Sequence, residues 1–186
     1  MKKVLVIGLV MLAGLGLSGC LPTGTSDTGS EEVEVVEKPS DKETEGWQIY
    51  RHSGPDYRLK HMESWIPKLT PNPTMGDLEF LNLSTVAEDF TPTDCSFGVK
   101  TWDSPMTADM ELPRQRATET SEVEIDGVKA QKFVYAPNEQ YMAHDHFLEK
   151  DGYSYNISFG LKNDKPQEEC LDLLGKMLGT FQFKND

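Results

Sequence analysis

Tyr153-Ser154-Tyr155-Asn156-Ile157-Ser158-Phe159-Gly160-Leu161 alternates large apolar residues with small or polar ones. Side chains on a strand point to opposite faces in turn, so this period of two reads as a strand with one buried face. Its partner is predicted over Tyr141 to Glu149, joined through Lys150-Asp151-Gly152. A second hairpin is written around Asp126-Gly127, a dipeptide suited to the type I′ turn. A two-residue turn there sets Ile125 against Val128, Val123 against Ala130, and Glu124 against Lys129. Apolar meets apolar and opposite charges meet, so turn and register agree. Phe133 and Tyr135 are out of phase with Val128 and Ala130, which predicts a bulge near Gln131 or Lys132.

Outward from these hairpins, further strands are expected at Trp47–Tyr50 and Tyr57–Met62, around a Ser53-Gly54-Pro55-Asp56 turn. Trp65-Ile66-Pro67 anchors the chain as it leaves that second strand, and Thr70-Pro71-Asn72-Pro73 reads as a loop. Leu78–Val86 and Phe97–Trp102 are the next strands. Ser104 to Arg116, broken by prolines, reads as a surface connection. Near the end, Pro166 suits the first turn of a helix, whose face carries Cys170, Leu171, Leu174, Met177 and Leu178. Gly179 ends it, and Phe181 and Phe183 alternate in a last extended piece. The fold class is α+β: a mainly antiparallel sheet packed with helices over residues 46–186.

The amino-terminal segment has a different composition. Met1-Lys2-Lys3 is basic, Val4 to Leu17 is apolar apart from glycines, and Leu17-Ser18-Gly19-Cys20 closes the stretch. These are the parts of an export signal. The apolar run is shorter than the roughly 18–20 residues that cross a bilayer. Leu-Ser-Gly-Cys resembles the lipobox of bacterial lipoproteins, which implies cleavage after residue 19 and diacylglycerol and acyl groups on Cys20. Residues 20–45 then form a lipidated, acidic spacer. Val33, Val35 and Val36 alternate, but the interleaved glutamates and Pro39 favour disorder. One acyl chain holds a protein on a membrane only marginally, at about 0.8 kcal/mol per buried methylene, whereas several chains hold it firmly. The expected location is the cell membrane or outer membrane, facing the extracytoplasmic side.

Formal net charge is −13. Such a surface repels phosphate backbones, so nucleic acid is not an expected partner. Of three cysteines, Cys20 is assigned to lipid, which leaves Cys95 and Cys170 as a disulfide candidate in an oxidising compartment. The bland alternative is two buried thiols that never meet. A bond closing so long a loop removes on the order of 4 kcal/mol of unfolded-chain entropy, as an upper figure.

His144-Asp145-His146 is the cluster with ligand chemistry. Histidines at i and i+2 share a strand face and can offer two imidazoles to a metal. A two-residue Asp151-Gly152 turn places them with Tyr155, Ile157 and Phe159. A three-residue loop places them with Ser154, Asn156 and Ser158, and this second register is preferred here, since it leaves them accessible. Only His52 and His61 remain as further histidines, neither placed as a third ligand, so a surface pair without metal is the main expectation. No Gly-x-Ser-x-Gly elbow, Cys/His pairing near a helix start or phosphate-cradling glycine loop occurs, so no catalytic residue and no cofactor are expected. Trp47, Trp65 and Trp102 suit core or core-edge packing better than an exposed binding surface.

Taken together, Trp47 and Tyr50, Tyr57-Arg58-Leu59-Lys60 leading to Trp65, the Asp126-Gly127 hairpin, Phe147 to Tyr155, and a helix before Thr180-Phe181-Gln182-Phe183 resemble the PsbP-like domains of bacterial lipoproteins. The resemblance implies an antiparallel sheet sandwiched by helices and an accessory rather than enzymatic role. The leading expectation is a non-enzymatic lipoprotein that docks an envelope protein or a small ligand. A metal-binding envelope protein using His144 and His146 is the alternative, and an envelope hydrolase the third.

Overall fold

The computed structural model describes residues 33–52, 54–71, 79–86, 92–103, 105, 108–164 and 167–184. They belong to a compact unit running from Glu32 to Asp186. The expected signal segment, Cys20 and the first part of the spacer lie outside the described residues. The elements are β1 (Glu34–Val35), β2 (Gln48–His52), β3 (Tyr57–His61), β4 (Trp65–Pro71), β5 (Glu79–Val86), β6 (Pro92–Trp102), α1 (Glu111–Arg116), β7 (Glu119–Ile125), β8 (Val128–Asn138), β9 (Tyr141–Lys150), β10 (Tyr153–Lys162), α2 (Gln167–Gly179) and β11 (Gln182–Phe183).

Among the described residues, one sheet has eight strands in the order β1-β7-β8-β9-β10-β6-β5-β4, and a smaller one has the order β11-β3-β2. Their pairings are antiparallel except β1 with β7. Both faces of the central strands of the large sheet are covered, as in a three-layer sandwich. On one face Tyr155, Ile157, Phe159 and Leu161 meet Leu174, Met177 and Leu178 of α2, Phe183 of the small sheet and Phe181 just before it. On the other, Trp102, Phe133, Tyr135 and Phe147 pack against Met110 and Ala117, which flank α1.

That second apolar layer explains a correction. The predicted bulge near Gln131 or Lys132 is absent: β7 and β8 pair without interruption from Glu119↔Val134 to Ile125↔Val128. Phe133 and Tyr135 change phase because they serve the opposite core, not because the strand slips. The irregularity lies farther on, between Tyr135 and Asn138 against β9. The expected 104–116 connection contains α1, whose Pro113 is buried. Pro71, expected in a loop, ends β4, and Pro67 sits within it. An edge strand tolerates both, because each proline lacks only a donor that no neighbour requires. Asn72 and Pro73 of that expected loop, and Ser53 of the first turn, lie outside the described residues.

The spacer boundary also moves. Residues 33–45 pack on the fold instead of preceding it. Glu34 and Val35 pair with Val123 and Glu124, and the Val36 amide donates to the Glu124 carbonyl at 3.0 Å. Beyond them the Ser40 amide and hydroxyl both donate to Glu43 Oε2, at 2.9 and 2.8 Å. This strap crosses the end of α2 at Gly179. A Cβ there would overlap the Glu37 carbonyl oxygen and stand 2.8 Å from Pro39 Cδ. Glycine is required at this position by close approach of backbone. Gly179→Ala is therefore expected to lower stability by about 1–3 kcal/mol. A urea titration reads the loss, and hydrogen exchange at the Val36 amide reads whether the strap has lifted. An unchanged midpoint with unchanged exchange would refute this packing.

Candidate functional site

The β9–β10 turn decides which way the histidines face. Tyr153 pairs with Lys150, so Asp151 and Gly152 alone form the loop, with φ of 52° and 83°. Two successive positive φ values define the type I′ geometry, which aspartate tolerates and glycine favours. The preferred three-residue loop is thus corrected to the two-residue one. Register then sets His144 opposite Phe159 and His146 opposite Ile157, on the core face rather than with Ser154, Asn156 and Ser158.

His146 is 3% exposed. Its Nδ1 lies 3.0 Å from the Ile157 carbonyl; a carbonyl can only accept, so Nδ1 carries the proton and donates. Burial pushes its pKa down to about 3, against a smaller opposing effect of the Ile157 hydrogen bond. His144 is half-buried and stacks on Phe159 at 6.3 Å with an interplanar angle of 22°. Its pKa is also lowered, first by burial and then by the Lys132 charge. Both rings are therefore neutral at pH 7. They line a cavity of about 570 Å³ between the strap, the β9–β10 face and α2, walled by Val36, Pro39, Lys132, Leu171 and Gly175.

Among the described residues, no group of three His, Cys, Asp or Glu side chains is placed to hold a metal. His52 and His61 stand elsewhere. His61 Nδ1 donates to the Met62 carbonyl at 2.9 Å, and His52 stacks on Tyr57 at 5.0 Å. Cys95 and Cys170 are bonded, tying β6 to α2 with Cα atoms 6.0 Å apart across a sequence separation of 75. Trp65 and Trp102 are buried and Trp47 packs at the core margin, as expected of them.

Asp145, read in sequence only as the residue between two histidines, occupies the opposite face. It is 5% exposed and accepts the Tyr135 hydroxyl at 2.8 Å. Burial raises its pKa to about 6, while bonds from Tyr135 and Asn156 hold it lower than burial alone would. The phenol is pushed well above its ordinary value by burial and by this carboxylate. Strand alternation alone could have separated Asp145 from its neighbours. The chain thus holds two polar clusters back to back across one sheet, each tied to a structural partner.

Comparison with known proteins places this architecture. No family model matches the chain, and no curated relative matches it. Among solved structures, the cyanobacterial PsbP (CyanoP) of Synechocystis sp. PCC 6803 is similar over 75% of this chain and 93% of that one, with a TM-score of 0.54 at 11% identity. A protein from Bacteroides thetaiotaomicron VPI-5482 aligns over 76% of this chain and 50% of its own, with a TM-score of 0.49 at 10% identity. A protein of unknown function from Pseudomonas aeruginosa covers 67% of this chain and 89% of its own, with a TM-score of 0.36 at 15% identity. The fold of residues in the described unit is PsbP-like.

Proposed function

We propose that this chain is a non-enzymatic accessory lipoprotein, held to an envelope membrane through lipid on Cys20 and working on the extracytoplasmic side. The observation that carries the reading is the Cys95–Cys170 bond. Disulfides persist in oxidising compartments, in agreement with a Leu17-Ser18-Gly19-Cys20 lipobox. The polar groups inside the sandwich support the non-enzymatic part. His146 is engaged by Ile157 and Asp145 by Tyr135, so their first role is to satisfy the core. The PsbP-like fold it shares with CyanoP gives a scaffold for docking. Its partners are the membrane, through the anchor, and an envelope protein or small ligand.

Membrane fractionation of cells making the chain tests the anchor. Wild type is expected in the detergent-soluble membrane fraction, and Cys20→Ser in the soluble extracytoplasmic fraction. A Cys20→Ser protein that stays membrane-bound would overturn lipid anchoring. Crosslinking in intact cells tests the accessory role, and recovery of the chain without any envelope partner or ligand would count against it.

A further inference from the structure

Arg51 on β2 stands directly opposite Arg58 on β3, and both side chains are exposed. Like charges facing each other across an antiparallel pair repel and weaken it. Among the described residues neither guanidinium has a carboxylate partner. Arg58 Nε donates to Gln182 Oε1 at 2.8 Å, and Arg51 makes no side-chain hydrogen bond or ion pair with any described residue. Both line a cleft of about 700 Å³ at the end of the small sheet, together with Lys38, Lys184, Asp56 and Asp126. Its two carboxylates are already matched: Lys184 pairs with Asp56 at 3.0 Å and Lys38 with Asp126 at 3.1 Å. Asp126 Oδ2 also accepts the Phe183 amide at 3.0 Å. Among the described residues of the cleft, four cations against two carboxylates leave an excess of two positive charges, on a chain whose net charge is −13.

We propose that this cleft binds a phosphate monoester as its dianion. The excess charge matches a dianion in number. A guanidinium presents a planar fork that holds an oxyanion through two parallel hydrogen bonds. One tetrahedral phosphate head offers three oxygens, enough to engage both forks, whereas a carboxylate's two oxygens fill one. The volume suits a small organic molecule and leaves space beyond the head for the rest of the ester. Bound anion would also relieve the Arg51–Arg58 repulsion, so binding is expected to stiffen the β2–β3 pair. The inference goes beyond the accessory reading and would stand if the lipid anchor failed its test.

The experiment is calorimetric titration of the full chain, purified in detergent, at low ionic strength where screening is weak. Three probes separate the sources of the phosphate: inorganic phosphate, glycerol phosphate, and a short-chain water-soluble phosphatidic acid. Saturable binding of at least one probe is expected, and which one binds best tells a free anion from a lipid headgroup. Arg51→Gln with Arg58→Gln is expected to weaken that binding about tenfold or more. Arg51→Lys with Arg58→Lys, which keeps the charges and loses the forks, should fall between the two. Circular dichroism and the thermal midpoint check that each variant is folded. Should the double glutamine variant not fold, Arg51→Gln alone serves, since Arg51 has no partner among the described residues to lose. No saturable heat with any probe, or equal affinity in the glutamine variant and wild type, would overturn the proposal. Equal affinity in the lysine variant would overturn the paired-fork geometry and the proposal with it.

Discussion

Asp145→Asn is expected to raise stability by about 3 kcal/mol at pH 7 and to leave it nearly unchanged at pH 4. The buried carboxyl has its pKa raised from 3.8 to about 6, so folding favours its protonated form. Its contribution is fully present below the unfolded value of 3.8 and is lost as pH rises through about 6. At pH 7 the folded protein holds an ionised group where water is scarce, an expense of about 1.36 kcal/mol for each tenfold difference in proton affinity. Asparagine has similar shape and never ionises, and its amide oxygen can still accept the Tyr135 hydroxyl. Urea titrations at pH 7 and pH 4 give the two differences directly. An asparagine variant that is destabilised equally at both pH values would refute the linkage and leave only a damaged hydrogen bond.

The first hairpin is legible because its turn and its alternation agree: Asp126-Gly127 carries positive φ on both residues, as a two-residue turn demands. The Val123↔Ala130 and Ile125↔Val128 pairs follow from that turn, and the apolar face of α2 is legible separately from its helical spacing. The second hairpin is legible as a pair of strands, but its turn is not, since Asp151-Gly152 closes it where a three-residue loop is the preferred expectation. What the pattern could not convey was a sheet buried on both sides. Where alternation is the sign of one wet face, Phe133 and Tyr135 require a bulge and the histidines belong on the polar side of β10. With α1 covering the second face, large residues are in demand on both, and phase no longer marks inside from outside. The strap was missed for a related reason. Glu34-Val35 has too little apolar surface to form a strand alone, and its order comes from β7 and from the glycine at 179, both far away in sequence. Ser40 and Glu43 did carry a local signal, the Ser-x-x-Glu spacing of a capping box. The Arg51–Arg58 pair needed the β2–β3 register before it had any meaning.

His146→Gln is expected to do the reverse of Asp145→Asn, with little change at pH 7 and a gain of about 3 kcal/mol at pH 4. The imidazole pKa is lowered from 6.5 to about 3, so the folded state refuses a proton that the unfolded chain accepts. The stability that neutral His146 contributes is complete above 6.5 and is lost as pH falls toward about 3. His144, lowered in the same direction by burial and Lys132, adds to this loss. Glutamine can donate to the Ile157 carbonyl from the same face and carries no titrating group, so it keeps the bond and removes the penalty. Between about 6 and 3.8 the two neighbours oppose each other: acidification protonates Asp145 to the benefit of the fold while it taxes His146. Wild-type stability is therefore expected to be nearly flat across that window, and each single substitution unmasks the slope of the residue left behind. Asp145→Asn should fall with acid, His146→Gln should rise, and the double variant should keep only the acid loss that His144 contributes. The two residues sit on opposite faces of one strand with separate partners, so their effects should add. Thermal midpoints of all four proteins from pH 7 to pH 4 test the set. Parallel profiles for wild type and both single variants would exclude either group as a source of pH dependence.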